Sequence, residues 1–274
     1  MLEITLCKDR KRGTCAAFTR ICKTAEAGCG GQILVTPEQF SHDAERLLCA
    51  RGGDGISRYA EVLSFSRLAS RVFSIEGGAA EGETDACGQL LMMAIAVEQV
   101  RSRLKVFASA ATKPEFLLRL IDALEEFRSY CVTPDALRHA SQQLSGVLAV
   151  KAEEFALLME SYAGVCANCG QNPETRLNRL LAALETGDFA AGKHFYFDGF
   201  TDFNGIQREI LSQLLADGAE LSVYLTCDAL EYPAQQFETA QETARQLLTM
   251  AKALGVPVEL HQLKDEQDVS ALSF

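Results

Sequence analysis

A β/α rhythm that breaks off and later resumes leaves this sequence few folds to choose from. Short apolar runs at 3–7 (EITLC), 32–36 (QILVT) and 61–65 (EVLSF) alternate with helical patterns that begin near Thr14 and at Glu38. Alternation of this kind gives a parallel sheet, and strands without a polar face imply helices on both sides of it. From about Asp85 to Leu184 the β signal disappears, and apolar residues recur at three and four, as in Phe116, Leu117, Leu120, Ile121, Leu124 and Phe127. That periodicity is helical. Thr133 before Pro134, and Asn172 before Pro173, read as helix starts inside the block, while Gly77, Gly78 and Gly82 mark its entrance and Gly187 and Gly192 its exit. The rhythm returns with HFYFDGF at 194–200, a helix from about Gly205, ELSVYLT at 220–226, a helix across 237–254 and VPVEL at 256–260. The expected fold is α/β: a parallel-sheet domain made of residues 1–80 and 190–274, split by a helical subdomain at 81–189.

A hydrophobic share of 48% supports a substantial core. No apolar run reaches the length of a membrane span, and charges interrupt the start, MLEITLCKDRKRG, where a signal peptide would be apolar. A soluble, cytoplasmic protein with no membrane partner is expected. The net charge of −11 has the wrong sign for an unaided nonspecific DNA binder, so any DNA contact must be local. Tryptophan is absent, although 15 Phe and 6 Tyr remain available for stacking on bases. The ten cysteines are scattered through helical patterns and are read as reduced thiols. Cys166 and Cys169 form the one close pair; without a second pair, or histidines at suitable spacing among His42, His139, His194 and His261, they are read as two helical cysteines rather than metal ligands.

A first strand running into a helix invites a search for a phosphate loop, because helix N-terminal amides favour anions. The segment is Cys7-Lys8-Asp9-Arg10-Lys11-Arg12-Gly13-Thr14. Aligned on GxxxxGK[ST], Thr14 keeps the hydroxyl position, Gly13 replaces the lysine, Arg12 the second glycine and Cys7 the first. The basic run Lys8, Arg10, Lys11 and Arg12 could hold a phosphate, but without glycine to admit it the preferred reading is a solvated loop. After the helical block, Asp198-Gly199-Phe200-Thr201-Asp202-Phe203-Asn204 resembles the DEFQDTN motif of superfamily 1 helicases, with Gly199 in place of the glutamate that positions the attacking water. Asp198 and Asp202 are read as capping the next helix or satisfying local backbone donors. No catalytic residue and no metal are assigned.

Three segments carry a family resemblance: Val35-Thr36-Pro37-Glu38-Gln39-Phe40, Leu63-Ser64-Phe65-Ser66-Arg67-Leu68, and Phe197-Asp198-Gly199-Phe200-Thr201-Asp202-Phe203. In this order, around a helical insertion, they resemble the PEQF, SFSRL and DGFxxF signatures of the AddB (RexB) family. The resemblance implies a RecA-like, superfamily 1 helicase-like but degenerate sheet with a helical insertion like a 1B domain. Known members are much longer and end in a nuclease domain holding an iron-sulfur cluster and magnesium, so this chain is expected to be a fragment or truncated product without a cofactor of its own. Many members keep an intact phosphate loop where this chain has Lys8 to Thr14. In the family this region lines the channel of the 3′-ended strand and reads the hotspot sequence Chi, while an AddA-type helicase-nuclease partner supplies the motor for double-strand break repair by recombination. Carried over by motif, the residues contacting single-stranded DNA are Gln39, Ser41, Phe65, Arg67 and Phe200; the aromatic three residues beyond the arginine is Ser70 here.

The residue types fit that role. Gln pairs a donor with an acceptor for a base edge, Arg contacts phosphate or base, and Phe gives a stacking face. Spacing alone reads Phe65 and Phe200 as core and Arg67 as helix surface. Two other functions remain open from the residues: a P-loop NTPase with an atypical phosphate loop, and a helical module that docks onto a partner protein.

Overall fold

The computed structural model of the chain describes residues 1–77, 85–171, 175–230 and 235–263. Gly78, Gly82, Asn172 and Pro173 lie outside these described residues. The described residues fall into two compact units. One comprises Met1–Glu76, Leu180–Phe203 and Gln207–Phe274, the other Gly77–Arg179 and Asn204–Ile206.

The first unit is a six-stranded, wholly parallel sheet of RecA-like α/β arrangement, with β1 (Leu2–Cys7), β2 (Gln32–Val35), β3 (Ala60–Leu63), β4 (His194–Asp198), β5 (Glu220–Thr226) and β6 (Val258–Gln262). Their order is β3-β2-β4-β5-β1-β6. The strand that follows the helical block therefore lies inside the sheet begun by the first three. Val35 pairs with Leu63 on one side and with Phe197 on the other, so β3, β2 and β4 end level with one another. Phe195, Tyr196 and Phe197 of the central β4 are fully buried, as a strand covered on both faces requires.

Helices α1 (Arg10–Glu26), α2 (Glu38–Gly52), α3 (Phe65–Glu76), α9 (Gly205–Ala216) and α10 (Glu238–Ala253) connect the strands. Helix α1 starts four residues before the position expected from the sequence. Asp9 takes an extended conformation and its carboxylate accepts the Lys11 amide at 3.0 Å, so the helix is capped there. Arg10, Lys11 and Arg12 thus form the first helical turn rather than a loop. The expected strand at 61–65 stops at Leu63, because the Ser64 hydroxyl accepts the Arg67 amide at 3.2 Å and starts α3 at Phe65. The last strand begins at Val258, beyond Pro257, which has no N–H to contribute to the ladder.

The helical unit contains α4 (Ala86–Val100), α5 (Pro114–Ser129), α6 (Pro134–Gln143) and α7 (Gly146–Asn168). Its core includes Met93, Val97, Leu120, Leu124, Leu158 and Val165. Leu117, Leu120, Ile121 and Leu124 face it from α5, with Phe116 and Phe127 partly buried beside them. Thr133 caps α6, accepting the Ala136 amide at 3.1 Å, with Pro134 at the first helical position. The next helix, α8 (Arg176–Thr186), belongs to the sheet unit from Leu180 onward; Leu180 and Leu184 are fully buried.

A polar cluster is enclosed at the N-terminal end of the sheet. His194 Nε2 and the Ser222 hydroxyl are 2.8 Å apart, its ring stacks on Tyr196 at 4.1 Å, and the Tyr196 hydroxyl donates to Gln32 Oε1 at 3.1 Å. Glu3 pairs with Arg20 beside them. Burial, reinforced by the Arg20 charge, lowers the His194 pKa to about 4 from 6.5, although Glu220 Oε2 lies 3.4 Å from Nδ1. Burial prevails because the Glu220 side chain is half exposed and solvated. A histidine held neutral in the native state leaves stability unchanged above its unfolded pKa. As pH falls from 6.5 towards 4, the unfolded chain binds a proton that the folded chain refuses, and stability drops by about 3 kcal/mol. Urea unfolding at pH 7.5 and pH 4.5 should show this loss, and His194→Gln should reduce it; an equal loss in both proteins would contradict the assignment.

Candidate functional site

Because β3, β2 and β4 are parallel neighbours, the segments that follow them emerge together at one end of the sheet, where α/β proteins place ligand sites. All five residues transferred by motif lie there, with different exposures. Gln39, the second residue of α2, is exposed, as is Arg67, the third of α3, whose guanidinium lies 3.6 Å from Glu45 of α2. Phe200 is half-buried just past β4. Ser41 and Phe65 have interior positions. The Ser41 hydroxyl is buried and donates to the Glu38 carbonyl at 2.9 Å. Phe65 is buried with its ring edge-on to Phe200, centroids 5.6 Å apart, and 6.0 Å from Phe197. Phe203 completes this aromatic cluster, 5.0 Å from Phe200. Ser70, three residues beyond Arg67, is exposed on α3.

The segment aligned with the phosphate-loop pattern, Cys7 to Thr14, lies at the same end. Only Lys8 and Asp9 separate β1 from α1, so no loop encircles an anion. The α1 amides that would receive a phosphate are turned to Asp9: Lys11 donates to its carboxylate, and Arg12 and Gly13 donate to its carbonyl at 3.2 and 3.3 Å. Gly13 is packed where even a methyl group would meet Cys7 Sγ at 2.7 Å. The Thr14 hydroxyl donates to Asp198 Oδ2 at 2.7 Å, which joins one matching residue from each of the two aligned segments directly. Asp198 is buried, and burial raises its pKa against the opposing Thr14 hydrogen bond, Arg10 charge and Gly199 amide. Asp198 therefore takes up local donors and does not cap α9. Burial, with Asp198 and Asp9 nearby, pushes the Cys7 thiol up to about 12, so it stays protonated.

Two features were not anticipated from the sequence. A cleft of about 950 Å³ opens between α1 and α2, lined by Arg10, Thr14, Phe18, Thr36, Phe40 and Asp198 among others. The Thr36 hydroxyl is buried there without a hydrogen-bond partner. The Arg10 guanidinium lies over the Phe40 ring, 3.7 Å from its centroid. One sequence signal could have drawn attention to Arg10. Three consecutive basic residues at a helix start oppose the helix dipole, which is a local conflict in need of a reason.

Among the described residues no three His, Cys, Asp or Glu side chains are grouped as metal ligands, and no helix is long and apolar enough to cross a membrane. Cys166 is buried near the end of α7, and Cys169 is exposed at its C-cap.

The sequence model of the family described as ADDB, N-terminal, matches residues 12–273. The relative from Caldanaerobacter subterraneus subsp. tengcongensis, the B subunit of an ATP-dependent helicase/deoxyribonuclease, is 32% identical over 232 residues, covering 83% of this chain and 20% of the relative. Proteins of the same description from Pelotomaculum thermopropionicum and Desulfitobacterium hafniense are each 32% identical, covering 83% and 72% of this chain but only 20% and 16% of their own length. The chain thus spans about a fifth of the length of these relatives. A match that runs through both halves of the sheet and the helical block between them leaves one conclusion: the chain belongs to the AddB N-terminal family.

Proposed function

We propose that this chain is the inactivated, helicase-like portion of the AddB component of an ATP-dependent helicase/exonuclease that repairs double-strand breaks by recombination. In that role it binds single-stranded DNA and scans it for Chi. The observation that supports this best is the grouping of Gln39, Arg67 and Phe200 beyond three adjacent parallel strands, each with a different means of engaging a nucleotide. Phe65 and Ser41 act from beneath, fixing the Phe200 ring and the first turn of α2. A chain of net charge −11 gains little from phosphate attraction at large, so the strand is held with an AddA-type partner that also supplies the motor. The chain itself needs no cofactor; the iron-sulfur cluster and magnesium of the family belong to its nuclease portion.

Replacing Gln39 or Arg67 in the complete complex should weaken recognition at a particular base by about 1–3 kcal/mol, the worth of a good base contact. Unwinding should continue near the wild-type rate while the response to the hotspot is lost. Equal loss of both would indicate a folding defect, and an unchanged hotspot response would end the assignment. A second expectation follows from the Asp9-capped start of α1 and from Gly199: the chain alone neither binds ATP with magnesium at micromolar affinity nor hydrolyses it. Titration calorimetry revealing one tight site would overturn that, and would favour the atypical NTPase reading.

A further inference from the structure

We propose that the C-terminal end of β4 is a cation site, and that the chain's own Arg10 guanidinium occupies it. The proposal stands apart from the DNA reading, because it concerns a contact within the sheet unit and would hold whether or not a strand is bound.

Three observations lead to it. The guanidinium is held on one side by the Phe40 ring, at 3.7 Å from the centroid, a contact that attracts a cation to the ring's negative face. The backbone of Gly199 also lies close to the guanidinium. A Cβ built there would lie 2.9 Å from Arg10 Nη2, 3.4 Å from Arg10 Cζ and 3.3 Å from Pro37 Cδ. Gly199 has φ +86°, so glycine is favoured both by its conformation and by the guanidinium against it. The third observation is the buried Asp198 next to that glycine. An ionised carboxylate taken from water requires compensation. Thr14 supplies a hydrogen bond, and Arg10 supplies the positive charge. The other titratable groups around this end include Cys7 on β1, Asp9, Lys11 and Cys15 at the start of α1, and Asp43 and Arg51 on α2.

The arrangement also explains a local conflict. Arginine in the first turn of α1 is disfavoured by the helix dipole, yet that turn is where a side chain reaches both Phe40 and Gly199. Arg10 and Gly199 form one packed unit. A larger residue at 199, a glutamate included, cannot be accommodated while the guanidinium stays in place.

A double-mutant cycle and a rescue experiment on the 274-residue chain test this. Gly199→Ala should lower the melting temperature by on the order of 5 °C in the presence of Arg10. In an Arg10→Ala background it should cost measurably less, since the backbone strain and the Pro37 contact remain but the guanidinium is gone. Arg10→Ala should also respond to millimolar methylguanidinium chloride with a higher melting temperature and shifted NMR signals of the Phe40 ring and Gly199 amide. Sodium chloride at equal ionic strength should produce neither effect, and the Arg10 protein should not respond. If Arg10→Ala fails to fold, Arg10→Gln serves in the same cycle. An equal cost of Gly199→Ala in both backgrounds overturns the proposal, as does the absence of a methylguanidinium response in the arginine-free protein.

Discussion

Glu154→Ala is expected to be the most damaging single change in the helical unit, costing roughly 3–6 kcal/mol from the loss of partners for three backbone amides. Glu154 is buried on α7, and its carboxylate accepts the amides of Lys105, Val106 and Phe107 at 2.6, 2.9 and 2.9 Å. These amides belong to the segment joining α4 to α5, where Leu104 and Ala111 point into the core. That segment has no ladder of its own, so one carboxylate does the work that a strand partner would do elsewhere. Removing it leaves three part-buried donors without their acceptor, and water replaces it only in part. Glu154→Gln should cost less than Glu154→Ala, because one amide oxygen still accepts from two of the three donors while its NH2 group opposes the third. Glu160 on the same helix pairs with Arg138 at the surface, and Glu160→Ala should leave stability little changed. Urea unfolding followed by far-ultraviolet circular dichroism measures all three. A Glu154→Ala midpoint close to wild type would show that the amides find other acceptors.

The contrast between Glu154 and the strands shows where the sequence was informative. Each buried strand is a short apolar run between helical patterns, and QILV, HFYFD and ELSVYLT all lie in strands where the pattern placed them. Burial acts on every residue of such a run, so the signal is repeated and hard to miss. Glu154 gives no such signal. It is the second of two adjacent glutamates on a helix, and only the return of the chain at Lys105 to Phe107 distinguishes it from an ordinary exposed acid. The start of α1 was obscured for a different reason. Alignment of Thr14 on a phosphate-loop template drew the helix start to that residue, whereas Asp9, immediately before the basic turn, is the residue that caps it. At the C-terminal ends of β3, β2 and β4, motif order grouped Gln39, Ser41, Phe65, Arg67 and Phe200 but carried no information on depth. Spacing did mark Phe65 as core and Arg67 as surface, whereas the inward turn of the Ser41 hydroxyl to the Glu38 carbonyl left no trace in the sequence.

Placing the lysine of the phosphate-loop pattern at Gly13 should damage the fold without creating an ATPase, and the damage should arise from the first carbon of the new side chain. Gly13 lies in α1 with its Cα turned to the sheet, and a Cβ there would stand 2.7 Å from Cys7 Sγ and 3.6 Å from Tyr224 Cβ. Cys7 is itself buried, its thiol donating to the Leu225 carbonyl at 3.3 Å, so moving the sulfur aside disturbs that hydrogen bond and its packing. Overpacking of this kind costs about 1–3 kcal/mol, which outweighs the 0.5–1 kcal/mol or so that alanine gains over glycine inside a helix. Gly13→Ala should therefore destabilise despite better helix propensity, and Gly13→Lys should do so by at least as much. In a Cys7→Ala background the sulfur is gone, and Gly13→Ala should become neutral or stabilising; this reversal of sign is the decisive outcome in thermal unfolding. If Gly13→Ala is stabilising with Cys7 present, the close approach is not a constraint. Gly13→Lys should show no magnesium-dependent ATP turnover in either background, because Asp9 still takes the α1 amides and Gly199 still lacks a carboxylate to position water. Turnover in the Cys7→Ala, Gly13→Lys protein would mean that a lysine is all this site lacks for ATP hydrolysis.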